Sequence, residues 1–396
     1  MTPKLRFPQF QGEWQAQHGR DAFTSRRSRG RPGLPLYSVT LDQGMVRRDS
    51  LEREFASNAT DESNLRAEKD DLVYNMMRMW QGAVGRAPEE CIVSPAYVVL
   101  AARAETSPRF FEYWFQRNRS VYWLWAYSHG LTSDRLRLYF RDFSQVPMSL
   151  PSREEQEKIA DFLGAVDERV RLLRQRQAVL ERYKRGVMQR LFAQTLRFKR
   201  DDGADFPDWV AMRLGDVARF TKGKGISKDD IVAGGALPCI RYGELYTIYA
   251  EKIEAVVSAT NVPANELLLS QRGDLILPAS GETPLDMASA CCVLTDGVAL
   301  GGDLTVIRSS LDGLFLAYLL RGRHRRDVGR LAQGNSVVHL YGSHLGKLKI
   351  VVPPDVAEQR KIAKFLSALD DKIAAVAGKI AAMQTFKKGL LQQMFV

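Results

Sequence analysis

A chain of 396 residues exceeds what one comfortable hydrophobic core covers, so two or three domains are expected. Hydrophobic residues at 45% and aromatics at 9% make a globular composition and exclude a long disordered or low-complexity region. Fifty-seven Lys and Arg against 46 Asp and Glu leave a formal charge of +11, which favours a polyanionic partner such as nucleic acid or an anionic membrane surface. The longest apolar runs, Ala96 to Ala102 and Leu314 to Leu320, fall short of the roughly 20 residues a bilayer span requires. MTPKLRFPQF lacks the apolar core of a signal peptide, so a cytoplasmic protein is expected.

Residues 1–150 read as a first globular domain in which strands dominate. RFPQFQGEW opens it at residues 6–14, and Arg26, Arg27, Arg29 and Arg31 then crowd a Gly/Pro loop ending near Tyr37. Asp71-Leu72-Val73, Ile92-Val93 and Val98-Val99-Leu100 are short β-branched runs between Gly-containing turns. Ser107 with Pro108 signals a helix start with Pro at its first position. Phe110 to Trp114, with Tyr122, Trp123 and Trp125, suggest base stacking, but their helical spacing reads as core.

Residues 151–195 read as one long helix. Pro151 stops the preceding strand, and Ser152 with Glu155 fits a capping box. Leu163, Val166, Val170, Leu173, Leu180, Val187 and Leu191 follow in steps of three, four and seven, a heptad seam that Gln177 and Lys184 interrupt. A second globular domain spans 196–352 and echoes the first, with DFPDW at 205–209, Asp274-Leu275-Ile276, and Leu304 to Ile307. Its basic stretch is Lys222-Gly223-Lys224-Gly225, followed by Arg241-Tyr242. Residues 353–396 repeat the long helix behind Pro353-Pro354 and an Asp355/Glu358 box, with Lys387 as its polar interruption.

The two helices align without a gap at an offset of 203 residues, Glu155 on Glu358. Identities include Gln156, Lys158, Ile159, Ala160, Phe162, Leu163, Ala165, Asp167, Ala178, Lys184, Gly186, Gln189 and Phe192. At ~1.5 Å per residue, forty residues make a rod of about 60 Å. Each rod has one apolar stripe amid dense charge, so helix against helix fits better than two separate cores.

Chemistry of its own is not signalled. Val352-Pro353-Pro354-Asp355 lacks the residues of an amine-holding methyltransferase loop, Gly223-Lys224-Gly225 is too short for a phosphate loop, and no histidine has nucleophile-elbow spacing. Cys91, Cys239, Cys291 and Cys292 show no C-x-x-C pair or metal-ligand spacing and read as buried thiols. The paired basic loops are the DNA-contact candidates: Arg26, Arg27, Arg29, Arg31 and Tyr37 in one half, Lys222, Lys224, Arg241 and Tyr242 in the other. Gly334-Asn335-Ser336 offers amide and hydroxyl groups suited to adenine or phosphate, although turns use the same residues. Ser128-His129-Gly130 stands in the corresponding place of the first half.

The order F-P-x-F-x-G-x-W, G-D-L, and a doubled P-x-x-x-E-Q-x-x-I-A-x-F-L-x-x-x-D resembles the DNA specificity subunit of Type I restriction-modification systems over the whole chain. Here these are Phe7 to Trp14, Gly273-Asp274-Leu275, and Pro151 or Pro354 through Asp167 or Asp370. The first half departs in its mid-domain motif, where Asp70 precedes Asp71. The resemblance implies an α+β chain: two globular α/β-mixed target recognition domains in a pseudo-two-fold repeat, separated by two long antiparallel coiled-coil helices. It implies a non-catalytic subunit that reads a bipartite double-stranded DNA site and docks two methyltransferase subunits, with restriction subunits as possible further partners. S-adenosylmethionine, ATP and Mg²⁺ would belong to those partners. Glu155, Gln156, Ile159, Phe162, Leu163 and Asp167, with Glu358, Gln359, Ile362, Phe365, Leu366 and Asp370, are implied as spacer and docking residues. The competing readings are a self-sufficient DNA-modifying enzyme and a coiled-coil scaffold without a DNA role.

Overall fold

The computed structural model describes residues 2–41, 43–50, 61–132, 134–334 and 337–396. It divides into two compact units, Met1–Arg174 with Gly378–Val396, and Gln175–Ala377.

In the first unit, Phe23–Arg26, Tyr97–Ala102, Leu72–Asn75 and Val84–Arg86 form a four-stranded sheet in that order, each neighbour antiparallel. Leu72, Val73 and Tyr74 are all buried because this inner strand is covered on both faces. A second sheet orders Gly44–Arg47, Leu36–Thr40, Cys91–Val93 and Leu65–Ala67, with its middle pair parallel. Helix α1 (Pro108–Trp114) starts where its sequence predicts: the Ser107 side chain accepts from the Phe110 amide. Helix α2 (Asn118–Ala126) follows. A ribbon pairing Gln15–His18 with Pro147–Leu150 leads into helix α3 (Arg153–Phe192).

The second unit repeats this order. Ala218–Lys222, Leu304–Ser309, Leu275–Pro278 and Cys291–Val293 form its main sheet, extended by Lys252–Ile253. Ser258–Thr260, Leu237–Ile240, Ala299–Leu300 and Leu268–Leu269 form the other, again with a parallel middle pair. Helices α4 (Gly313–Arg321) and α5 (Arg325–Leu331) take the places of α1 and α2, and a ribbon of Val210–Arg213 with Lys349–Val352 feeds helix α6 (Val356–Gln393). The fold is α+β in both units.

The departure at Asp70 leaves the backbone unchanged. Asp70 has φ +71° and its counterpart Gly273 φ +96°, so the same left-handed turn is made, because Asp is among the few side chains that tolerate that region. The aspartate that follows is used alike. Asp71 accepts from the Glu68 amide at 2.8 Å and Asp274 from the Gln271 amide at 2.9 Å.

Both long helices contribute to each unit. In the first, Leu163 and Val166 of α3 share a core with Leu390 of α6 and with Met394 just after it; in the second, Val187 and Leu191 of α3 pack with Ile362, Leu366 and Leu369 of α6. The pairing is antiparallel in each. Its polar contacts are matched. Lys387 reaches Asp167 at 2.7 Å in the first unit, and Lys184 reaches Asp370 at 2.6 Å in the second. Each aspartate also accepts from a tyrosine hydroxyl, Tyr113 or Tyr318, over whose ring the lysine sits at 5.1 Å. The two lysines that interrupt the apolar seam are thus each paired with the aspartate of the other helix copy.

Lys184 also meets Glu251 at 3.0 Å, so removing the lysine leaves two poorly solvated carboxylates uncompensated, which costs about 1–3 kcal/mol. Lys184→Met is expected to lower the midpoint of the second unit's denaturant transition accordingly, and Lys184→Asp with Asp370→Lys to recover part of it. Independent, additive effects in that double-mutant cycle would show that the pair does not set register.

Candidate nucleic-acid interface

In the first unit the predicted arginine loop divides. Arg27 and Arg29 are exposed, with no carboxylate partner among the described residues, and Arg31 is exposed beside Glu90 at 2.9 Å. The chain is held close here: a Cβ on Gly30 would collide with the Asp61 carbonyl oxygen. Two of the predicted contacts are corrected. Arg26 is the last residue of its strand and donates to Asp71 at 2.6 Å, with Glu68 at 3.0 Å, so its charge is spent within the sheet. Tyr37 is 6% exposed and donates its hydroxyl to Glu89 at 2.7 Å; burial, then that bond, push its pKa up to about 12. It is a core residue. In the second unit Arg308, from the neighbouring strand, replaces Arg26 as the partner of the equivalent Asp274, at 2.9 Å.

The second unit gathers its predicted residues more tightly. Lys222, Arg241 and Tyr242 line one cleft of about 670 Å³ with Lys228 and the Gly301-Gly302 turn; Lys224 is exposed but lies outside its lining. A Cβ on Gly223 would strike the Gly301 carbonyl oxygen, so only glycine fits. Ile226 follows at φ +60°, strained for a β-branched residue, and its side chain is held in a small cluster with Cys239 and Ala299. Buried packing thereby pins the loop. Asp230, at the cleft wall, accepts from the Ser227 hydroxyl and amide at 2.7 Å each, which lowers its pKa. Arg241 stands 3.9 Å from Glu244, and Tyr242 packs its ring against the core beside Tyr246.

Gly334 has φ +121° and no room for a Cβ beside the Val337 carbonyl, so it serves turn geometry; Asn335 and Ser336 lie outside the described residues. Ser128 is likewise structural, its hydroxyl donating to the Leu124 carbonyl at 2.7 Å, while His129 is exposed. Phe110, Phe111 and Trp114 are core as expected. Tyr122 and Trp125 are not: they are 55% and 48% exposed.

The repeated helix starts face inward. Glu155 takes a bidentate pair from Arg6 at 2.8 Å and the Trp14 indole at 3.4 Å; Glu358 takes Arg197 at 3.2 and 3.0 Å and the Trp209 indole at 3.2 Å. The capping boxes are therefore only half made, because the glutamates are diverted; Ser152 still accepts the Glu155 amide. Gln156 accepts from the Ser107 amide and Gln359 from the Asp312 amide, each tying a long helix to the cap of α1 or α4. Ile159, Leu163, Ile362 and Leu366 are buried, and Phe162 and Phe365 stack edge-on against Phe7 and Phe198. These residues hold each helix to its unit, and the buried ones offer nothing to a partner. Trp14 and Trp209 end the echoed RFPQFQGEW and DFPDW stretches, but their arginine partners were not among the predicted site residues; the signal for Arg6 and Arg197 is an Arg-Phe pair at 6–7 and 197–198, hidden by a different loop length before each tryptophan. Among the described residues no His, Cys, Asp and Glu cluster fits a metal, and no helix is long and apolar enough to cross a membrane.

The model of the Type I restriction modification DNA specificity domain matches residues 56–182 and 207–384. The MjaVIII specificity subunit of a type I restriction enzyme from Methanocaldococcus jannaschii is 26% identical over half of this chain, a match spanning 44% of that protein. The MjaIX specificity subunit of the same organism is 21% identical over 87% of this chain and 81% of its own length. Among solved structures, the Type I restriction-modification S subunit from M. genitalium superposes with a TM-score of 0.61 at 16% identity, covering 100% of this chain and 99% of that one, which is a likeness of fold. With the family model covering both halves, the chain belongs to the Type I restriction-modification DNA specificity family.

Proposed function

We propose that the chain is the recognition subunit of a methylating complex, each unit reading one half of a bipartite double-stranded DNA site. One observation carries this reading: the same anchor set, Glu-Arg-Trp, Gln-cap and Asp-Lys-Tyr, is built twice, while the cationic loops mounted on it differ. A duplicated frame with unlike loops suits two unlike half-sites. Arg27 and Arg29 on one unit, Lys222, Lys228 and Arg241 on the other, would meet phosphates and base edges. The chain itself would carry no catalytic step; S-adenosylmethionine, and ATP with Mg²⁺, would be bound by methyltransferase and restriction partners.

Partner docking has its own support on the solvent side of the helices. Arg176, Val179, Tyr183 and Gly186 follow at steps of three, four and three, and Lys379, Ala382, Phe386 and Gly389 match them in the second copy. Tyr183 and Phe386 are 53% and 50% exposed, and nothing lies within 4 Å of a Cβ built on either glycine. A helical glycine costs roughly 1 kcal/mol relative to Ala, and no contact within the chain requires it. Its presence in both copies suits a backbone approaching from outside, once per unit, as two identical methyltransferase subunits would.

Co-expression with the partner genes and methylome sequencing is expected to give one split motif; a continuous motif would count against two readers. Arg241→Ala should weaken binding by about 1–3 kcal/mol and relax one half-site only. Inserting a heptad within residues 170–190 should change the number of unread base pairs. Purified chain with methyl donor alone should transfer nothing, and transfer would establish the self-sufficient enzyme. Tyr183→Asp or Phe386→Asp should each cut bound methyltransferase from two copies to one by native mass spectrometry; unchanged stoichiometry would place docking elsewhere.

A further inference from the structure

Helix α2 of the first unit carries a surface that the reading above does not use. Arg119, Tyr122 and Trp125 rise on successive turns, all exposed, with the two rings 6.0 Å apart. Beside the start of α2 lies a cleft of about 640 Å³ lined by Lys4, Arg117, Arg119, Lys388, Leu391 and Phe395 among others, with no carboxylate side chain in its wall. Lys4, Arg119 and Lys388 have no ion-pair partner among the described residues. Arg117 is 9% exposed, gives one N–H to the Val396 main-chain oxygen, and lies 5.0 Å over the Phe395 ring. Burial, and then Arg119, depress its pKa to about 10.

We propose that this cleft and the aromatic face of α2 bind single-stranded nucleic acid, phosphates in the cleft and bases against Tyr122 and Trp125. Unpaired cations call for a polyanion, and half-exposed rings beside them accept a base of any sequence. Duplex DNA keeps its base faces stacked and has no use for those rings. The duplicated protein partner is a poor fit as well. Helix α5, the counterpart in the second unit, presents Arg325, Arg326 and Arg330 and no aromatic residue, so a partner bound once per unit would find this surface only once.

The test is fluorescence anisotropy of labelled oligothymidylate of about fifteen nucleotides on the full chain, alone or with its partner subunits, against a duplex of equal length lacking the recognition site. Tyr122→Ala with Trp125→Ala is expected to weaken oligothymidylate binding about tenfold or more and spare the duplex, while Trp125→Phe retains it. Arg119→Ala with Lys388→Ala, both at exposed positions, should reduce the salt dependence of single-strand binding by about one contact or more, which keeps the proposal testable if the aromatic variant misfolds. Unchanged single-strand binding overturns the proposal. Equal losses for single strand and duplex also overturn it, reducing the surface to general electrostatics, as does loss of a protein subunit with oligothymidylate binding intact.

Discussion

The reciprocal pairing of an aspartate near the start of one helix copy with a lysine near the end of the other decides how the long helices meet. Both copies carry both residues, so an antiparallel arrangement satisfies Asp167 with Lys387 and Asp370 with Lys184. A parallel alignment of the same copies would set aspartate against aspartate and lysine against lysine. Apolar seams alone discriminate weakly between directions, whereas like charges at a half-buried seam cost several kcal/mol. The tyrosine hydroxyls of α1 and α4 complete each cluster, so the register of the helices is written into the core of each unit as well. Burial and the neighbouring aspartate raise both tyrosine pKa values, keeping them neutral donors at any ordinary pH.

The same reciprocity makes the first unit discontinuous in sequence. Phe395 lies 5.0 Å from Phe110 and 6.4 Å from Trp14, closing the first core with a residue from the far end of the chain. Phe192 packs on Phe315 at 6.0 Å and does the equivalent in the second. The second unit is drawn from one continuous stretch, Gln175–Ala377, while the first needs residues 378–396 to finish it. Closing that long loop carries an entropic cost that grows slowly with length but must be met before the contacts form. The second unit therefore has the shorter route to its native contacts.

Sequence periodicity was informative where structure is local. The doubled helix, its seam, the cap at Ser107 and the position of the seam's lysines were all legible, because each depends on residues a few positions apart or on an exact repeat. What depends on strand register was not. Arg26 and Tyr37 look like loop cations and aromatics until the sheet turns one onto Asp71 and the other into the core. Arg6 and Arg197 escaped because Trp14 follows eight residues after one and Trp209 twelve after the other, breaking a gapless comparison. Tyr122 and Trp125 were misread because a one-turn spacing looks the same on a buried and an exposed face. The departure at Asp70 looked like a changed motif, yet the turn survived since the required dihedral, not the residue, was the constraint.

The division between what repeats and what differs follows from where energy is stored. Anchors that desolvate a charge, such as Glu155 and Glu358 at 1% and 0% exposure, resist single changes, because each change takes from its arginine the buried carboxylate it pairs with. Loops on the solvent side of the sheets face no such coupling. In the second unit the Lys222 to Lys228 loop takes its shape from the close approach of Gly223 to the Gly301 carbonyl and from Ile226, strained at positive φ and packed in a small cluster separate from the anchors. The first unit shapes its arginine loop at another place in the chain, where Gly30 approaches the Asp61 carbonyl, and among the described residues has no counterpart of Ile226 there. Two unrelated local solutions on one scaffold mean that loop geometry can be replaced without disturbing Asp-Lys-Tyr or Glu-Arg-Trp.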